Sequence, residues 1–101
     1  MPETPRTKRV MMSSEDQEKT AVKIFNKTML AKLRENAHKP HWEKERLDDL
    51  LECLQDEVEE LTSILDDNRY TMEQVHDVMR ECADVANFAM MIHDNVRKED
   101  Y

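Results

Sequence analysis

The sequence contains no glycine and only three prolines in 101 residues, and aromatic side chains make up 5% of it. That usage points away from turn-rich architectures and toward a single small helical domain. No run of about 18 apolar residues occurs, so no segment is expected to span a membrane. The first residues are basic in part but lack an apolar stretch after them, which argues against secretion. Two cysteines, Cys53 and Cys82, lack the close spacing of a zinc site. They read as inert, partly buried thiols suited to a reducing cytoplasm rather than as a disulfide or metal pair. A chain of this size buries a modest core, so self-association is an expected source of further stability.

What is abundant is charge, 38% of all residues with a net of −8. Its distribution is uneven. Residues 47–68 hold nine acids and no Lys or Arg, whereas residues 14–41 hold six basic side chains against four acidic ones. So acidic a stretch repels a nucleic acid backbone, and no DNA or RNA partner is expected. Asp48, Asp49, Glu52 and Glu59 read as a solvated helix face.

Along the chain, residues 1–12 carry two prolines and no sustained periodicity, which reads as a flexible arm with Arg6, Lys8 and Arg9 in solvent. A helical domain follows over residues 13–97, with 98–101 as a polar tail. Its first helix opens at Ser13 and Ser14, with Ser14 and Gln17 in capping-box spacing. Val22, Phe25, Met29 and Leu33 mark its buried stripe, Lys23 and Lys27 face solvent, and Pro40 forces an end near Asn36 or Ala37. The connection that follows contains His38, Lys39, His41 and the single tryptophan, Trp42. Loops carried by a rigid helical scaffold often hold specificity groups, so Lys39, His38 and His41 are candidates for phosphate or base contacts. Trp42 reads either as a cap on the core or as a stacking face for a nucleobase.

A second helix is expected from about Glu43 to Leu65 on the repeat of Leu47, Leu50, Leu51, Leu54, Val58, Leu61 and Leu65. A turn at residues 66–70 returns the chain antiparallel. Thr71 and Gln74 then have capping-box spacing for a third helix, whose stripe is Met72, Val75, Val78, Met79, Cys82, Ala86, Ala89 and His93. Phe88, Met90, Met91 and Ile92 extend its apolar surface around the cylinder, more than one protomer can cover. The expected fold is therefore an all-α, antiparallel bundle of about three main helices per protomer, completed by assembly into a homodimer or homotetramer.

Four acids stand out from the rest because they border apolar stripes in i, i+3 pairs. With roughly 100° per residue, Glu57 and Glu60 share one helix flank, and Glu81 and Asp84 share another. Carboxylates gathered at the edge of a core are costly unless something compensates, and a hard divalent cation is the natural compensator. Surface salt bridging is the alternative account of the same residues.

ExxE, a gap of about twenty residues, and then ExxD resembles the signature of the MazG-like, all-α nucleotide pyrophosphohydrolases, relatives of dimeric dUTPases and dCTP pyrophosphatases. The segments EVEEL and ECADVANFAMMI are similar to that family's two central helices, and the likeness covers roughly residues 20–96. It implies a hydrolase of nucleotide metabolism that uses Mg²⁺, replaceable by Mn²⁺, to cleave an NTP or dNTP at the α-β linkage. The products are the monophosphate and pyrophosphate. It further implies Glu57, Glu60, Glu81 and Asp84 as metal ligands and catalytic groups, one of them taking a proton from water. On the same ground Trp42 lines the base pocket, Asn87 binds sugar or phosphate, and Phe88 flanks the base. Glu59 stands where many relatives have a small residue, and helical geometry turns it outward. Two other readings share this pattern: a non-catalytic helical interaction module, and a phosphoribosyl-ATP pyrophosphohydrolase.

Overall fold

A computed structural model describes residues 13–66 and 71–100. The expected arm over residues 1–12, most of the expected turn and Tyr101 lie outside the described residues. Three helices account for nearly all the rest: α1 (Ser14–Glu35), α2 (Leu47–Asp66) and α3 (Met72–Asp100), with a 3₁₀ turn at Trp42–Lys44. No strand occurs among the described residues. The fold is all-α, as the composition indicates.

Local chemistry sets the ends of these elements. Ser13 caps α1, its Oγ accepting the Asp16 backbone N–H at 3.1 Å, so the cap sits one residue before the expected Ser14. At the other end Asn36 folds its side chain back, donating from Nδ2 to the Lys32 carbonyl at 3.0 Å. The second helix begins later than expected. Glu45 is extended (φ −78°, ψ 143°), which breaks the periodic pattern into the 3₁₀ turn and a separate α2. Arg46 then supplies the first carbonyl of α2, which accepts the Leu50 N–H at 3.0 Å, and Asp48 and Asp49 fill its acidic first turn. At α3 the capping box is complete: Thr71 N–H donates to Gln74 Oε1 at 2.9 Å, and Gln74 N–H donates to Thr71 Oγ1 at 3.2 Å. The helix then runs through Asp100, absorbing most of the expected tail.

Helix α3 is the spine of the molecule. It packs along α2, along α1 and against the 3₁₀ turn, whereas α1 and α2 share no packing contact among the described residues. Cross-links to α1 run in opposite chain order, Met29 with Asn87, Lys32 with Asp84 and Glu35 with Arg80, so α1 and α3 are antiparallel. The short connection makes α2 and α3 antiparallel too. Glu57 lies nine residues before the end of α2 and Glu81 nine residues after the start of α3, which brings both to one level.

The buried side of α3 differs from the apolar stripe anticipated for it. Glu81, Ala83, Asn87 and Asn95 are the buried residues, while Met72 (75% exposed), Met79 (48%), Val75, Ala89 and His93 face outward. His93, on the expected stripe, is exposed in the protomer. Helical geometry places the two sets roughly on opposite sides of the cylinder. The inward side meets two helices and carries polar side chains, and Ala83, fully buried, allows their close approach. Helix α2 shows the same division. Leu50 is buried and Leu54, Glu57, Leu61 and Ile64 are half-buried, but Leu47, Leu51, Val58 and Leu65 are exposed. Taken together, Leu47, Leu51, Leu54, Val58, Leu61 and Leu65 recur at alternating steps of four and three, as do Met72, Val75, Met79, Cys82, Ala86 and Ala89. Each helix therefore carries a coiled-coil type seam that is only partly covered, with Leu47, Leu51, Val58 and Leu65 on α2 and Met72, Val75, Met79 and Ala89 on α3 exposed, in a body only 22 Å thick, about two helices deep.

Candidate metal centre and adjoining cleft

The α2–α3 register brings together Glu57, Glu81 and Asp84, whose ligand atoms lie within 4.8 Å of one another. Oxygens bound to one divalent cation at about 2.0–2.6 Å stand at most about 5 Å apart, so the three are close enough to meet at one ion. Two further observations set this cluster apart from ordinary surface acid. Glu81 is only 9% exposed, and the Oε2 atoms of both Glu57 and Glu81 are buried without a hydrogen-bond partner. An orphaned, buried carboxylate oxygen is expensive unless a proton or a cation meets it.

The electrostatics say the same. Burial pushes the Glu81 carboxyl up to about 8, helped by its hydrogen bond with Glu57 and by the charges of Glu57 and Glu60. For Glu57 the hydrogen bond with Glu81 favours ionisation, yet burial and the charges of Glu60 and Asp84 outweigh it and raise the group. Asp84 is raised by burial, against the opposing pull of Lys32 and Arg80. Glu60, the fourth expected acid, is exposed at the rim of this threesome, near enough for its charge to act on both glutamates. Glu59 points to solvent, as expected.

Beside the cluster, the lack of contact between α1 and α2 leaves a cleft of about 550 Å³ floored by α3. That volume lies within the range of small-molecule sites. Asp84 belongs to both cluster and cleft, whose lining also includes Lys32, Trp42, Asn87, Phe88 and Met91. Of the loop residues singled out in the sequence, Lys39, His41 and Trp42 line it, whereas His38 is exposed and does not. Asn87 is 4% exposed; its Nδ2 donates to the Met29 carbonyl at 3.1 Å, and its Oδ1 is buried without a partner.

Trp42 is held more firmly than a bare loop position suggests. Its indole N–H donates to Asp94 Oδ2 at 3.1 Å, its carbonyl accepts Asn95 Nδ2 at 3.0 Å, and its ring stacks on His41 at 3.9 Å. Lys98 ties the same turn to α3 through Glu43 (3.2 Å) and Asp94 (2.9 Å). The hydrogen bonds of Lys98 and Trp42 hold the Asp94 carboxyl down at about 2. Asp94, Asn95 and Lys32 carry no recognisable signal in the sequence, because each acts through a partner more than 45 residues away.

The class defined by fold and site is an all-α chain with a partly buried carboxylate cluster opening on a cleft. Comparison with known protein families, with curated proteins and with solved structures finds no match to this chain.

Proposed function

We propose that the chain is a metal-dependent nucleoside triphosphate pyrophosphohydrolase, acting on an NTP or dNTP. The observation that carries this reading is the trio Glu57, Glu81 and Asp84, with two orphaned carboxylate oxygens, at the edge of a nucleotide-sized cleft. These three residues would hold Mg²⁺, or Mn²⁺ in its place, since hard carboxylate oxygens suit both. When bound, such an ion neutralises phosphate charge and acidifies a water. In the net reaction water adds at phosphorus, the α-β P–O bond breaks, and the monophosphate and pyrophosphate leave. In this reading Glu60, exposed at the rim of the trio, takes the proton that the attacking water gives up. Trp42 and Phe88 flank the base, and the free Oδ1 of Asn87 accepts a hydrogen bond from sugar or base. Lys39 contributes a phosphate or base contact from the cleft wall.

Further parts of the reading concern setting and assembly. No helix among the described residues is long and apolar enough to cross a membrane. Two free thiols, exposed Cys53 and half-buried Cys82, fit a cytoplasmic setting. The partly covered seams of α2 and α3 fit a homodimer, or a homotetramer of paired dimers. Those seams also favour one competing account, a non-catalytic helical interaction module, which leaves the orphaned oxygens without a role.

The deciding experiment is pyrophosphate release from a panel of ribo- and deoxyribonucleoside triphosphates, with phosphoribosyl-ATP included, in Mg²⁺ and in EDTA. Release from a triphosphate in Mg²⁺ only, lost in Asp84→Asn with helicity intact, is the expected result. A wild type that cleaves nothing in the panel would hand the case to the interaction module.

A further inference from the structure

Among the described residues, Lys32 is the cation that both lines the cleft and meets the acidic cluster, and its partners are poorly matched to it. Its ammonium stands 3.5 Å from Asp84 Oδ2 and 3.5 Å from Glu35 Oε1, both loose for a charge-assisted contact. Glu35 already receives two short bonds from Arg80, at 2.8 and 3.0 Å, and does not require a second cation. The Lys32 side chain is only 14% exposed, deep for a lysine. Its backbone is fixed within the last turn of α1, where its carbonyl accepts Asn36, so only the side-chain stem has freedom to move. Lys39, the other lysine lining the cleft, is exposed.

We propose that Lys32 is an exchangeable counter-cation. It neutralises Asp84 while no divalent ion is bound, and turns to a phosphate of the bound ligand once an ion takes the Asp84 oxygen. This rests on the metal-dependent phosphate reading above. The exchange follows from Coulomb's law: a dication on Asp84 repels an ammonium a few ångströms away, and the repulsion is removed when phosphate charge arrives between them. A lysine suits the second role because its compact charge, with three rotatable donors on a flexible stem, can follow a phosphate through such a move. The side chain therefore opposes binding of the bare ion and favours binding of the ion together with a polyphosphate.

Calorimetric titration of the full chain tests both halves, with Mn²⁺ alone and then with inorganic tripolyphosphate in saturating Mn²⁺. Lys32→Met keeps the apolar stem and removes the charge. It should bind Mn²⁺ alone more tightly than wild type and tripolyphosphate about tenfold more weakly, the effect of losing one charge-assisted contact. Lys32→Arg should retain tripolyphosphate affinity to within a few-fold. Should Lys32→Met fail to fold, the wild type serves: selectively ¹³C-methylated Lys32, assigned with Lys32→Arg, should shift on adding Mg²⁺ and again on adding tripolyphosphate. Unchanged affinities in Lys32→Met, or a Lys32 resonance indifferent to both additions, would overturn the role of Lys32 alone. A wild type that binds no Mn²⁺ would instead overturn the metal reading, and this inference with it.

Discussion

Glu81 concentrates the chemistry of the molecule in one side chain. Its folded-state carboxyl is raised to about 8 from an ordinary 4.5, so between those values the folded protein keeps a proton that the unfolded chain releases. Stability must then fall as pH rises across that window, the opposite of a salt-bridged carboxylate. Glu57 and Asp84, also raised, act with the same sign. Glu35, Asp48 and Asp94 are lowered, so their contributions are lost at lower pH, as the medium falls through their folded values. Urea unfolding in EDTA should therefore show the metal-free protein weakening from pH 5 to pH 8, with Glu81→Gln flattening much of that slope. An unchanged slope in the variant would mean that Glu81 is not the group responsible. At this scale the sequence was partly legible. The i, i+3 spacing pointed to the acids, but nothing local could show that Lys32 would settle against Asp84 or that Trp42 would donate to Asp94.

Among the elements, α3 carries the lesson about pattern reading. Its apolar residues recur at helical intervals and so identify a helix, but periodicity of apolar residues assumes that apolar means inward. Here the inward side holds Glu81, Asn87 and Asn95, and the stripe members Met72, Val75 and Met79 face out. Helix α2 was legible in extent except at its start, where extended Glu45 separates it from the 3₁₀ turn. That turn depends on α3 for its position. Asn95→Ala removes the donor to the Trp42 carbonyl, and losing a part-buried hydrogen bond of this kind costs about 1–3 kcal/mol. Amide exchange in residues 41–46 should quicken while the centre of α2 stays protected. Equal exchange in variant and wild type would show that the turn is held by other contacts.

For the whole molecule, the exposed members of the two seams, on a body 22 Å thick, are the ground for the proposed second copy. Exposed leucine, valine and methionine at a and d spacing are the material of knobs-into-holes packing. Sedimentation at micromolar concentration should give a dimer or tetramer, and Val58→Asp, with Val58 at the middle of the α2 seam and exposed in the protomer, should shift it toward monomer. A wild-type monomer would contradict this. The proposed substrate rests on the resemblance of the ExxE and ExxD spacing alone, and the proposed ion rests on the carboxylate trio.

The central property of the molecule is whether its carboxylate trio holds a divalent cation. Thermal unfolding at pH 7.5, in EDTA and in millimolar Mn²⁺, reads this directly, because an ion that binds only the folded chain raises its melting temperature. Wild type should melt higher in Mn²⁺ than in EDTA. Glu81→Gln should melt at or above wild type in EDTA, since it removes a buried acid, and should gain little from Mn²⁺. A wild type that melts at one temperature in both buffers, or a Glu81→Gln variant that gains as much from Mn²⁺ as wild type does, would contradict the metal centre.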